Sequence, residues 1–141
     1  MGNYQYPALT ADALIRYKKN NVILIRRKNP PFKGKLALPG GFMDTGELPE
    51  QTCIREVKEE TNLDVKIIKK IGTFSDKDRD PRGHVITIAF LCEPLNKTQD
   101  AKAQDDAASL EIVPLDELHS KEFAFDHKKI IEKSGILRNV N

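Results

Sequence analysis

The chain has 141 residues, and its 23 lysines and arginines against 21 acidic residues give a formal net charge of +2 at pH 7. This length predicts a single domain spanning 1–141, large enough to bury a core without disulfide or metal staples. So small a charge excludes a dedicated nucleic-acid-binding protein, because such domains carry a strongly basic face.

The sequence also bears on the cell compartment. Two cysteines, Cys53 and Cys92, are too few for a disulfide framework and are typical of a reducing environment. The sequence contains no apolar run long enough to cross a bilayer, and its first residues lack the pattern of a signal peptide. We therefore expect a cytoplasmic protein that does not bind membranes.

Apolar periodicity divides the chain into strands and helices. Continuous or alternating apolar residues predict strands over 8–17, 22–26, 36–38, 64–74, 84–92 and 110–113. Helical spacing predicts helices over 49–61 and 126–133, with a short helix or turn over 115–119. This order favours an α/β fold with a mixed sheet and helices on both faces.

Local signals refine this prediction. The run 22–25 has no polar gap, which is typical of a strand buried on both faces. The Pro-Gly-Gly sequence at 39–41 predicts a turn after strand 36–38. The His-Lys-Lys sequence at 127–129 predicts a solvated basic face on the last helix.

The clearest helix is the one predicted over 49–61. Pro49 suits its first turn, and Glu50 suits the positive end of the helix dipole. Asn62 suits its end, because asparagine tolerates the left-handed conformation. Helical spacing puts one set of residues along one side, with Cys53 at the margin of that side: Glu50, Ile54, Val57 and Thr61.

Three glutamates on this helix are the first candidates for chemistry. Because residues three and four apart are neighbours on a helix, Glu56 lies beside both Glu59 and Glu60. Such a cluster repels itself unless divalent cations lie between the carboxylates, and these hard oxygen ligands suit Mg²⁺, with Mn²⁺ as a substitute. A solvated acidic face paired with Arg55 and Lys58 is the alternative. The glycine-rich turn before the helix favours the metal site, since glycine lets backbone carbonyls and a phosphate approach closely.

The spacing of these residues resembles the Nudix box. The family pattern is G-x5-E-x7-R-E-U-x-E-E-x-G-U, where U is a bulky aliphatic residue, and eight of its nine specified positions match over the 23 residues 41–63. The one departure is Asn62 in place of glycine, which is mild because asparagine also adopts positive φ. The resemblance implies the α/β/α sandwich of that family, with a mixed sheet, and Mg²⁺-dependent hydrolysis of a diphosphate linkage in a nucleotide derivative.

The resemblance also implies site residues. The carbonyl of Gly40 would be one metal ligand, and the helix glutamates would be catalytic residues and the remaining ligands: Glu56, Glu59 and Glu60. Glu47 and Arg55 would pair and brace the loop against the helix. The general base stays open between Glu59 and the acids of a later loop: Asp100, Asp105 and Asp106.

Segments outside the box resemble the short ADP-ribose pyrophosphatases of the family, namely 27–35, 38–42, 78–84 and 105–107. An ordinary charged loop is the alternative for 74–84. The forked guanidinium of Arg79 or Arg82 suits a phosphate or terminal ribose. Phe32 or Phe42 suits stacking on a base, and Phe42 equally suits the core.

Three functions are compatible with this resemblance: hydrolysis of ADP-ribose to AMP and ribose 5-phosphate, a MutT-like nucleoside triphosphate pyrophosphatase, and a non-catalytic ADP-ribose sensor. We expect the first. Sensors of this kind usually carry a DNA-binding extension, for which a chain ending at Asn141 leaves no room, and the helix carboxylates are intact. The expected partner is a small-molecule nucleotide, and a homodimer is suggested because members of this branch are often dimers.

Overall fold

The computed structural model describes residues 6–103 and 109–138. Its strands are β1 (Ala8–Tyr17), β2 (Asn21–Arg26), β3 (Leu36–Ala37), β4 (Gly40–Phe42), β5 (Val65–Phe74), β6 (Val85–Pro94) and β7 (Ser109–Pro114). Its helices are α1 (Pro49–Thr61) and α2 (His127–Ser134), with a 3₁₀ helix at Leu115–Ser120. The predicted α/β class is confirmed, and apart from β4 the predicted elements agree with these bounds to within two residues.

The seven strands form one mixed sheet in which β1 is the central member. β1 runs parallel to β6 and antiparallel to both β2 and β4. β5 lies outside β6, while β3 and β7 pair with β2. In this register Asp12 of β1 is directly opposite Gly40 of β4, which brings the middle of the sheet against the start of the Nudix-box segment.

Helices cover both faces of the sheet. Val57 of α1 packs in one apolar cluster with Ile15 of β1, whereas Ile130 of α2 packs in a second cluster with Leu14. Because neighbouring strand residues point to opposite faces, this alternation makes an α/β/α sandwich. Within the described residues, no helix is long and apolar enough to span a membrane.

Two local predictions were wrong at the ends of elements. Residues 39–41 do not form a simple turn, because Gly40–Phe42 is a short strand that pairs with β1. His127 does not lie on a solvated face: it is only 6% exposed, while the neighbouring Lys128 and Lys129 are exposed. A single histidine cannot be assigned to one side of a helix end by charge pattern alone, because its ring is both apolar and polar.

The side of α1 that helical spacing picked out is buried only in part, at Val57 and Thr61. Cys53 is fully buried at the centre of the buried side, together with Thr52, Val57 and Thr61. Ile54 is 41% exposed instead. Asn62 ends the helix in the left-handed conformation with φ of 65°, as predicted.

Candidate active site

The segment that enters α1 is held by hydrogen bonds from its own polar residues. Glu47 accepts from the backbone N–H of Asp44 (2.9 Å) and from the hydroxyl of Thr52 (2.8 Å). Leu48, which precedes the first helical residue Pro49, donates its N–H to Gln51 Oε1 (2.8 Å). These bonds satisfy backbone groups that have no partner within the helix, and so fix where α1 starts.

Arg55 joins the loop to the acidic face of the helix. Its guanidinium forms a bidentate pair with Glu47, with Nε 2.7 Å from Oε2 and Nη2 2.9 Å from Oε1. Nη1 donates to Glu56 (2.9 Å) and Glu59 (3.2 Å), and Nη2 also donates to the carbonyl of Phe42 (3.1 Å). The paired guanidinium lowers the pKa of Glu47 to about 2, so this carboxylate stays charged at any ordinary pH.

The glycines of β4 let the helix carboxylates approach the backbone. Gly40 donates its N–H to Glu60 Oε2 (3.0 Å). A Cβ at Gly41 would lie 2.5 Å from Oε1 of Glu56, so the carboxylate that Arg55 holds would have to move. Glycine at this position therefore lets the Glu56 carboxylate lie against the β4 backbone.

The carboxyl groups of Glu56 and Glu60 both have raised pKa values. Burial raises the pKa of Glu60 to about 8; the hydrogen bond from Gly40 opposes this rise, and Glu56, Asp12 and Glu59 add to it. The pKa of Glu56 is also raised, mainly by burial and against the stabilising bond from Arg55. Two acids that lose their charge so readily are typical of a site that receives a cation.

These residues fit a divalent metal ion by donor chemistry, although they do not form a preassembled cage. Within residues 6–103 and 109–138, no three acidic, histidine or cysteine side chains converge as a metal site. The reason is visible at Arg55, which holds Glu56 and Glu59 by hydrogen bonds. The carboxylates of Glu56 and Glu60, beside the side-chain-free backbone at 40–41, are hard oxygen donors of the kind that Mg²⁺ and Mn²⁺ prefer.

A cavity of about 440 Å³ opens beside these carboxylates. It extends from Glu56 and Glu60, past the β4 backbone, to residues of β1, β2, the loop 75–84 and the start of α2. Its lining includes charged residues of both signs and two aromatic rings: Asp12, Arg27, Phe42, Asp44, Arg79, Asp80, Arg82, Phe125 and His127. This volume lies in the range of small-molecule sites.

The cavity lining also carries aromatic rings and guanidinium groups. The Arg82 guanidinium lies 5.5 Å from the ring of Phe42 and 5.4 Å from the ring of Phe125. Arg27 lies 5.0 Å from the same Phe125 ring. Phe32 contacts that ring edge-on at 4.9 Å, but it lines an adjoining pocket rather than this cavity. Phe42 is 46% exposed and Phe32 38% exposed, so Phe42 does not belong to the core and both rings are accessible to a ligand.

The two arginines of loop 75–84 have different surroundings. The Arg79 side chain is only 4% exposed; it forms a bidentate pair with Asp126 (2.8 and 2.5 Å) and donates to Thr87 Oγ1 (2.6 Å). Arg82 is 44% exposed and pairs with Asp80 (2.8 Å) at the cavity wall. Substrate binding by Arg79 stays a prediction, and its contacts favour a bracing role over a direct one.

The candidates for the general base are also separated by the fold. Glu59 is 49% exposed on the acidic face of α1. Asp100 is 69% exposed and pairs with Lys18 (3.2 Å) in another part of the surface. Asp105 and Asp106 lie outside the described residues.

The cavity residues that were not assigned a site role from the sequence include Asp12, Arg27, Phe125 and His127. Asp12 carried a usable signal, because it is a lone charge within an apolar strand. Arg27 lies in segment 27–35, which resembles the short ADP-ribose pyrophosphatases, but Phe125 and His127 carried no signal that links them to the acidic helix.

Comparison with known proteins agrees with this geometry. The model of the NUDIX domain matches residues 7–134. A relative from Methanocaldococcus jannaschii, named ADP-ribose pyrophosphatase, is 47% identical over 92% of this chain and 73% of its own length. The ADPR responsive transcriptional repressor NtrR of Acinetobacter baylyi is 28% identical over 94% of this chain, which spans about half (54%) of that protein.

A solved structure gives the same answer for the fold. The NUDIX domain of Shewanella oneidensis NrtR, crystallised with ADP ribose, has a TM-score of 0.82 and 30% identity, covering 93% of this chain and 88% of the other. The match over residues 7–134, together with the acidic helix and its glycine strand, shows that the chain belongs to the Nudix family of hydrolases.

Proposed function

We propose that this protein hydrolyses the diphosphate linkage of ADP-ribose to AMP and ribose 5-phosphate, using Mg²⁺, with Mn²⁺ as a substitute. The observation that carries the proposal is the single cavity that joins the carboxylates of Glu56 and Glu60 to the arginine and aromatic groups at 82 and 125. Support also comes from the 47% identical relative named ADP-ribose pyrophosphatase.

The acidic end of the cavity is where the reaction would take place. Glu56, Glu59 and Glu60, with the Gly40 carbonyl, would hold the divalent ion, which supplies charge neutralisation at the diphosphate and lowers the pKa of the attacking water. Burial keeps Glu56 and Glu60 out of bulk water, so their charges act strongly on whatever binds between them.

Arg55 has a second task in this proposal. It donates to Glu56 and Glu59 and is anchored by Glu47 and by the carbonyl of Phe42. In that position Arg55 fixes the orientation of the Glu56 and Glu59 carboxylates. The Glu60 carboxylate is held separately, by the N–H of Gly40. Glu59 is the proposed acceptor of the proton lost by the attacking water, since it is the most exposed of the three acids and Asp100 lies elsewhere.

The remaining lining residues would bind the rest of the nucleotide. Phe42 and Phe125 offer ring faces for a base, with Phe32 packed against Phe125 from an adjoining pocket. The guanidiniums of Arg27 and Arg82 offer forked donors for phosphate or ribose oxygens. Burial lowers the pKa of Arg27, and the nearby charge of Arg82 lowers it further. This effect is expected where two positively charged side chains lie close together in an anion-binding site. A ligand with groups on both sides of a diphosphate fits this arrangement.

Product identification tests the proposal. ADP-ribose incubated with the protein and Mg²⁺ should yield AMP and ribose 5-phosphate in equal amounts, and excess EDTA should stop the reaction. Release of inorganic phosphate or intact ADP would contradict the assignment.

A second candidate function is binding of ADP-ribose without hydrolysis, because one relative is named as a repressor that responds to ADPR. Calorimetry with ADP-ribose would detect tight binding in the absence of turnover and so distinguish the two functions.

A cytoplasmic location is part of the proposal. Cys53 and Cys92 are free thiols with sulfur atoms 3.7 Å apart, which suits a reducing cytoplasm.

A homodimer is proposed as the functional unit, and light scattering during gel filtration should give about twice the mass of one chain. A mass of one chain at all concentrations would contradict it.

A further inference from the structure

His127 uses both ring nitrogens, although it lies outside the Nudix box. Its Nδ1 accepts the backbone N–H of Leu38 (3.0 Å), so the ring proton is on Nε2. Nε2 lies 3.2 Å from Oδ2 of Asp12. Both side chains are buried, at 7% exposed for His127 and 9% for Asp12, and both line the active-site cavity.

Asp12 connects His127 to the backbone of Gly40, the proposed metal ligand. It is opposite Gly40 in the β1–β4 pair, and a Cβ at Gly40 would lie only 2.1 Å from Asp12 Oδ1. Gly40 in turn donates its N–H to Glu60. The segment 38–40 is therefore held at its first residue by His127, at Pro39 by a backbone bond from Ala13 (2.8 Å), and at its last residue between Asp12 and Glu60.

We propose that His127 and Asp12 form a positioning pair, which ties the start of α2 to segment 38–40 and so restrains the Gly40 backbone and the Glu60 carboxylate bound to it, both of which would contact a divalent ion. The inference rests on the proposed metal site and concerns ion affinity rather than the chemical step. A metal ligand displaced by a fraction of an ångström binds more weakly, and residues behind the ligands commonly change metal affinity tenfold or more.

Substitutions that keep one of the two contacts separate this role from simple packing. Asparagine at position 127 places its oxygen near the site of Nδ1 and retains the bond from Leu38, whereas glutamine places its amide near Nε2 and retains the bond to Asp12. His127→Ala retains neither. Lys128→Ala is the matched control, because Lys128 is the exposed next residue of α2.

The test titrates Mn²⁺ into metal-free protein, with free Mn²⁺ followed by electron paramagnetic resonance, and measures kcat at saturating Mn²⁺ separately. We expect the dissociation constant for Mn²⁺ to rise tenfold or more in His127→Ala, to recover at least in part in His127→Gln, and to be unchanged in Lys128→Ala. The value of kcat at saturating Mn²⁺ should stay within threefold of the parent.

Three outcomes would overturn the inference. The first is Mn²⁺ affinity within twofold of the parent in both His127→Asn and His127→Gln, whatever the change in melting temperature; these two variants decide the matter if His127→Ala does not fold. The second is a fall in kcat at saturating Mn²⁺ without a change in affinity. The third is a parent protein that binds no Mn²⁺, which would also contradict the proposed function, whereas the first two leave it intact.

Discussion

Glu60 is a proposed metal ligand whose pKa is shifted strongly by burial. Its pKa is raised to about 8, first by burial and then by neighbouring acids, from an ordinary value of 4.5. In the metal-free protein its folded state therefore holds a proton that the unfolded chain has already lost, so the free energy of unfolding should fall as pH rises from about 4.5 to about 8. Saturating metal should reduce the loss of unfolding free energy near pH 8, because the metal ion replaces the proton on Glu60.

Metal binding should show the same titration. Because the ion has to displace the proton of Glu60, the apparent dissociation constant for Mn²⁺ should decrease as pH rises from about 6 to about 8, by up to roughly tenfold per unit, and level off above that. Titrations of metal-free protein at a series of pH values measure this. An affinity that is flat between those limits would contradict the protonated state of Glu60.

Glu60→Gln keeps the shape of this side chain and removes its charge. We expect kcat at saturating Mg²⁺ to fall on the order of a hundredfold or more, since one anionic group that holds the ion is lost. The fold should be retained, and the circular dichroism spectrum checks this. Glu50→Gln, on the exposed first turn of the same helix, is the matched control and should have parent activity.

Arg55→Ala should reduce stability as well as activity. It removes the partner of Glu47 and the bonds that hold Glu56, Glu59 and the Phe42 carbonyl. Leaving these partly buried acids unpaired should lower the melting temperature by roughly 5 °C or more. Lys58→Ala, which removes an exposed pair with Asp64, should change it far less. Equal melting temperatures for the two variants would show that Arg55 does not brace the loop.

At the scale of elements, loop 75–84 and helix α2 are joined by one buried ion pair. Arg79 and Asp126 are bidentate, and the Arg79 side chain is 4% exposed. Asp126→Ala would strand the guanidinium and should cost about 3–5 kcal/mol of unfolding free energy, measured by urea denaturation. Lys77→Ala, at an exposed position in the same loop, should be neutral. A neutral result for Asp126→Ala would show that this pair contributes nothing to the fold.

Elements with long, regular patterns were predictable from the sequence. The helix over 49–61, its asparagine cap and the long strands follow from residue spacing, and the family pattern assigned Glu47, Arg55 and the acidic cluster together. Strand β4 was not predictable, because Gly-Gly-Phe has weak strand propensity. It pairs with β1 at Gly40, where a Cβ would lie 2.4 Å from the carbonyl oxygen of Ala11. The burial of His127 likewise depends on partners more than eighty residues away.

At the scale of the whole molecule, the cavity is built by topology rather than by any one segment. The parallel pairing of β1 with β6 carries Thr10 against Thr87 (2.6 Å between hydroxyls), and β4 on the other side of β1 adds Gly40 and Gly41. Arg82 and the ring of Phe125, 5.4 Å apart, complete the lining of the cavity. Spacing within one helix predicted the acidic cluster, and the family resemblance pointed to Arg82 and Phe42, but no sequence spacing connects Phe125 or His127 to them.

The most direct test of the account is a side-by-side measurement of kcat/KM with Mg²⁺ for ADP-ribose, other nucleoside diphosphate sugars, dinucleotides and nucleoside triphosphates, including oxidised purines. A triphosphate lacks the terminal ribose that Arg82 and Arg27 are proposed to bind, and losing those hydrogen bonds should cost about 1–3 kcal/mol. We therefore predict that ADP-ribose is preferred over every triphosphate by roughly five- to a hundredfold, at 1.4 kcal/mol per factor of ten. A higher kcat/KM for any triphosphate, with pyrophosphate and a monophosphate as products, would contradict the account.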